Sequence, residues 1–179
     1  MQTLPIRLNP GQDLRGAIEA AVRGANCRAA FVLSGIGSLS SAGLRFAGAK
    51  QPRRLTGDME ILSLSGTVAF NDTGEGARSS SHLHMALSTA TGEVLGGHVA
   101  PGCMVRTTAE VLLALLPEWE FSRAPDAGTG YDELVVRAVQ AAKGDLQPGD
   151  QVRAGLAGLG LQGEDVADAV AWARKKPTP

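Results

Sequence analysis

Apolar residues fall into short runs along the chain, and the spacing within those runs names the elements they form. Leu14, Ile18 and Val22 recur at every fourth position between Asp13 and Gly24, the stripe of one amphipathic helix with an acidic N-cap. Strand patterns surround it. "TLPIRLN" precedes the helix, and "AAFVLSG", "SLSSAGLRF" and "MEILSLSGTVAF" follow it, each holding β-branched or aromatic residues and bounded by Gly, Ser or Asp. "HLHMALS" and "EVLGGHV" read as the two strands of a hairpin, "CMVRTTAEVLLALL" as a long strand or a strand running into a bend, and "EWEFSR" as a short closing strand. "SGIGS" (34 to 38) reads as a turn between strands, and the polar stretch "NDTGEGARSSS" (71 to 81) as a mobile loop. One early helix followed by many short strands predicts an α+β domain on a largely antiparallel, barrel-like sheet.

The texture changes near residue 137. Residues 138 to 179 are rich in Gly, Ala and Gln with weak periodicity until "EDVADAVAWARKK", where Val166, Val170 and Ala173 mark a short amphipathic helix at 164 to 176. A domain over 1 to 137 with a partly flexible C-terminal extension follows. Within the extension "GLGLQG" (158 to 163) matches G-x-G-x-x-G, but no strand precedes it and no acidic ribose partner lies about 20 residues beyond, so linker is the better reading.

Composition narrows the classes. At 44% hydrophobic and 20% charged the 179 residues suit one folded domain with a real core, and 23 glycines suit many tight turns. The net charge of -1 provides no basic field for nucleic acid, and "QPRR" and "RKKP" are short enough to be solvated surface. Cys27 and Cys103 belong to no CxxC pair and read as buried free thiols. The first residues lack a signal-peptide pattern and no apolar run nears the ~20 residues of a membrane span, so a cytoplasmic protein with no membrane partner is expected.

Chemistry concentrates in one place: all three histidines lie between His82 and His98. On a strand His82, His84, Ala86 and Ser88 share one face and Leu83, Met85 and Leu87 the other, with His82 and His84 about 6.6 Å apart along the backbone. A three-residue loop of Ala90, Thr91 and Gly92 would centre the hairpin on Thr91 and set His84 opposite His98, gathering three imidazoles. A two-residue turn at Thr91-Gly92 would send His98 to the other face. Three nitrogen ligands suit zinc best, with nickel, copper and ferrous iron as alternatives, and leave a fourth position for water or a small ligand. The plain alternative is three surface or interface histidines with ordinary hydrogen bonds. A cupin likeness starts at "GARSSSHLH" but stops there, because Ser88 and Thr89 stand where that family's glutamate is expected and the first acid is Glu93.

Taken in order, "PGQDL", "VLSGIGSLSSAGLRF", "LTGDMEILSLSGTV", "SHLHMALS", "GEVLGGHV" and "TGYDEL" resemble the plant and prokaryote conserved (PPC) domain from about Leu4 to Val136. The resemblance implies an α+β fold, a homotrimer with clefts between subunits, a role usually described as DNA-binding, and a zinc site at His82, His84 and His98. The AT-hook that accompanies the domain in plants is not found in this sequence, so DNA rests on the family label alone. Glu60 and Glu110 are acids in otherwise apolar strands; beside the histidines either could act as a general base or orient a ligand histidine, and otherwise they would pair with Arg45 or Arg106. Three functions follow: a trimeric metal protein open to a small ligand, with metal-dependent catalysis as its extension; a nucleic-acid-associated module; and a structural assembly domain.

Overall fold

The computed structural model describes residues 1–71 and 79–139. Most of the expected loop at 71 to 81, and the extension with its helix at 164 to 176 and "GLGLQG", lie outside the described residues. Eight elements follow in order: β1 (Gln2–Leu8), α1 (Leu14–Gly24), β2 (Ala29–Arg45), β3 (Arg53–Ala69), β4 (His82–Thr89), β5 (Val94–Leu115), β6 (Trp119–Pro125) and β7 (Asp132–Ala138). The α+β class is as the sequence predicts.

The helix begins where Asp13 accepts a hydrogen bond from Gly16 N at 2.8 Å, which satisfies one of the donors a helix start leaves unpaired. The second oxygen of the same carboxylate accepts from Gly102 N at 2.6 Å, tying α1 to β5. The predicted stripe of Leu14, Ile18 and Val22 is fully buried. It joins Leu39, Leu44, Leu64, Leu83, Leu87, Val105 and Leu113 in one core, where each such side chain contributes about 1.5–3 kcal/mol of burial. The helix ends at Gly24, and two residues later Asn26 takes a positive φ of 52° that turns the chain toward β2.

All the strand pairings of the main sheet are antiparallel, in the order β1-β5-β2-β3-β4. Because β4 also pairs with the start of β5, strands β2 to β5 close into a ring. β5 makes this closure possible by serving two neighbours on one edge: β4 at Val94 to His98 and β1 at Ala109 to Leu115. Between them the chain ahead of α1 takes over, with Gly11 N donating to Val105 O and Val105 N donating to Gln12 O, both at 2.9 Å.

The strand boundaries depart from those the sequence predicts. "AAFVLSG" and "SLSSAGLRF" are one 17-residue strand, and "SGIGS" is its middle rather than a turn. Gly37 has a φ of 143°, and any side chain there would run into the Thr108 carbonyl of β5, so this glycine lets two strands close rather than reverse. "EVLGGHV" and "CMVRTTAEVLLALL" likewise form one 22-residue strand through Pro101 and Gly102. Register shifts between β2 and β5, such as that between Val32 and Ser34, mark bulges that bend long strands around the ring.

β6 is the predicted closing strand, but it closes a hairpin of its own with β7, which sequence reasoning did not identify. Phe121 anchors that hairpin on the main sheet among Ala29 and Ala69, with its ring edge-on to Phe31 at 5.6 Å. Arg28 and Glu120 form an ion pair at 2.9 Å beside it. Cys27 and Cys103 are free and buried, as expected. No helix among the described residues is long and apolar enough to cross a membrane.

Candidate metal centre

Strand β4 alternates as the pattern requires, with Leu83, Met85 and Leu87 in the core and the histidines on the opposite face. The turn decides the rest. Thr89 N donates to Glu93 O and Gly92 N to Thr89 O, both at 2.9 Å, while Gly92 sits at φ 81°. The loop is therefore Ala90, Thr91 and Gly92, the odd-length alternative of the two. Register follows from it, running from Ser88 opposite Val94 back to His84 opposite His98.

The three imidazoles gather on one side. Ring centroids lie 4.9 Å apart for His82 and His84, 4.7 Å for His82 and His98, and 4.3 Å for His84 and His98. One nitrogen from each ring lies within 4.8 Å of the other two, and the Nε2 atoms of His82 and His84 are 2.9 Å apart. Tetrahedral zinc with bonds of about 2.0–2.1 Å needs nitrogens about 3.3 Å apart, so small ring rotations suffice. β3 fixes the backbone beneath: Gly66 faces Leu83 at φ 140°, and a side chain at that position would collide with the His82 carbonyl oxygen.

The charges around the trio come from a region the sequence did not connect to it. The β6–β7 hairpin brings Arg123, whose Nε donates to Ser80 O at 3.1 Å, whose Nη1 donates to Asp132 O at 3.1 Å and whose Nη2 reaches Thr67 Oγ1 at 3.4 Å. Arg45 stands opposite His98 across the β2–β5 pair. Burial is the main reason the His82 imidazole is pushed down from its usual 6.5 to about 4; Arg123 and the other two histidines add to the shift, and Glu133 opposes it. His98 is lowered as well, by burial first and then by Arg45, His84 and Arg123. Imidazoles held neutral keep the lone pairs that a metal requires.

A cleft of about 1000 Å³ opens beside His82 and His98, with Arg15, Arg45, Lys50 and Arg123 in its wall and Asp132 and Glu133 as its acids. Ser80 also lines this cleft, and its Oγ is buried without a hydrogen-bond partner among the described residues. Glu60 and Glu110 are elsewhere. Both are exposed, Glu60 opposite Ser88 and Ser38 and Glu110 opposite Arg7 and Ile36, and neither lines this cleft or the smaller recess at His82 and His84. Nor do they take the expected arginines, since Arg106 pairs with Asp58 at 2.8 Å and Arg45 faces His98. Glu133, missed in the sequence, lay within "TGYDEL", one of the blocks that carried the family resemblance.

Known proteins resemble this chain in sequence and in fold. Two Synechococcus proteins named bifunctional protein GlmU are 43% identical over 139 residues and 41% identical over 161. These stretches cover 78% and 90% of this chain but 21% and 24% of theirs, so the chain spans less than a quarter of the length of the curated relatives it matches. Among solved structures, a hypothetical protein from Salmonella enterica is 42% identical with a TM-score of 0.68, over 76% of this chain and 94% of that one. A metal-containing protein from Archaeoglobus fulgidus is 30% identical with a TM-score of 0.63, over 75% and 94%. Two structures whose names refer to DNA binding, from Bacteroides thetaiotaomicron and Ralstonia eutropha, are 20% and 24% identical and share the fold alone. A sequence model of the Plants and Prokaryotes Conserved (PCC) domain matches residues 1–117, and this chain belongs to that family.

Proposed function

We propose that this protein is a homotrimeric metal-binding module of the cytoplasm, with zinc held by His82, His84 and His98 and one coordination position facing the cleft. The observation that carries the reading is the convergence of three ring nitrogens from two strands within 4.8 Å. The donor set fits: all three are imidazoles, two have their charged forms suppressed, and the core packing of β4 holds two of them on one face. The Archaeoglobus relative, named for containing metal, supports it further. A bound zinc would supply Lewis acidity and a site for an exchangeable ligand. The protein's own residues position the rings and favour the neutral forms of His82 and His98.

Trimer formation is supported by an apolar patch on the outside of the ring. Leu33 and Ile36 of β2, Leu62 of β3 and Leu112 of β5 are 51%, 54%, 51% and 37% exposed. Pairing of Leu112 with Ser34 and of Ile61 with Gly37 sets these side chains side by side, a cluster of the kind that marks an interface. The fraction of the GlmU relatives that the chain matches fits an accessory module attached to other domains. Nucleic acid lacks comparable support, because the net charge is -1.

Elemental analysis of protein purified without added metal tests the central reading. Close to one equivalent of zinc per chain, restored by dialysis after chelation, is the expected result. Less than about a tenth of an equivalent, with no uptake from zinc, rejects it.

A further inference from the structure

The zinc reading raises a problem of charge, and its resolution suggests what the cleft binds. Three neutral imidazoles contribute no negative charge, so a divalent cation held there keeps its full +2. The neighbouring cleft wall adds Arg45 and Arg123, with Lys50 and Arg15 further along it, against Asp132 and Glu133. Such a surplus in a half-buried cleft is unfavourable unless something anionic enters.

The side chains differ in how far they are already committed. Arg15 is spent on Glu19 at 2.9 Å and on the Val99 carbonyl at 3.2 Å. Arg123 is held rigidly by Ser80, Thr67 and Asp132, which fixes its plane while leaving two of its five N–H donors unused. The Arg45 side chain forms no hydrogen bond or ion pair with the described residues although it is only partly exposed, and its position opposite His98 places it at the edge of the trio. A fixed guanidinium and an uncommitted one around one space are the elements of an oxyanion site.

We propose that the cleft beside the histidine trio binds a small molecule through an oxyanion, a carboxylate or a phosphate, gripped by Arg45 and Arg123. A volume of about 1000 Å³ leaves room for a metabolite-sized body beyond that group. The proposal rests on the zinc reading for the charge of the metal, and on the cleft's own residues for the grip.

Calorimetric titration of zinc-loaded protein with inorganic phosphate and, separately, with malonate tests it, with zinc content measured on every sample. Binding of at least one of the two, weakened roughly tenfold or more by Arg45→Gln at unchanged zinc content, is the expected result, and the stronger arm tells phosphate from carboxylate. Glu133→Gln, which removes a competing charge, should tighten the same anion severalfold; a merely structural role for the cleft wall predicts no such gain. Failure of both anions to bind, or equal binding by wild type and a folded Arg45→Gln variant, overturns the proposal and leaves the zinc reading standing. Arg45-dependent anion binding by a protein that takes up no zinc would reject the zinc reading and keep the oxyanion grip.

Discussion

His82 and Cys103 are both taken out of water, yet they sit in two regions with opposite chemical prospects. Burial drives the Cys103 thiol up from 9.0 to about 11 and the His82 imidazole down to about 4, so each is neutral near pH 7. Cys103 lies wholly inside the core, donating to the Ala100 carbonyl at 3.3 Å and accepting from Gly43 N at 3.3 Å. His82 is on the outward face of β4, its nitrogen directed at His84 and its side open to the cleft. Neutrality by burial makes the thiol inert because its partners are already in place. The same effect leaves the imidazole able to serve as the ligand proposed for it, because its lone pair is not enclosed.

The contrast can be broken from either side. Largest should be His84→Ala, which removes one of three donors and is expected to lower zinc affinity by a hundredfold or more in a competition assay with a chelator, whereas Cys103→Ala should leave that affinity unchanged. Next is Gly66→Ala, which forces a side chain against the His82 carbonyl at φ 140°; a loss of about 1–3 kcal/mol in denaturant unfolding is expected. Smaller is the effect of acid on metal-free protein. His82 binds its proton more weakly folded than unfolded, so stability is complete above 6.5 and falls as pH drops toward about 4, where it levels. A His82→Gln variant should show less of that fall in unfolding curves across this range. Smallest is native Cys103, whose alkylation by iodoacetamide at pH 8 should be negligible beside that of the unfolded chain, as mass spectrometry would show.

The histidine cluster was legible because it depends on short-range rules. Alternation along β4 assigned the faces, and a glycine three residues into the turn assigned the parity that sets His84 against His98. The helix was legible for the same reason, its stripe and cap lying within a dozen residues. Strand continuity was not. Glycine at 37 marks close approach of β5, a fact about a distant strand that local pattern reads as a turn. Arg123 and Glu133 were missed because only the docking of β6 and β7 brings them to the trio, and local sequence carries no trace of that docking. Glu60 and Glu110 drew notice as acids in apolar strands, but outward positions on the ring explain them fully.

X-ray absorption at the zinc edge bears most directly on the central claim. Three imidazole nitrogens at about 2.0–2.1 Å plus one exchangeable oxygen or nitrogen ligand, with the imidazole scattering lost in a variant lacking His82 and His84, is the predicted spectrum. A shell of sulfur near 2.3 Å, or six oxygens with no imidazole signature, would contradict it.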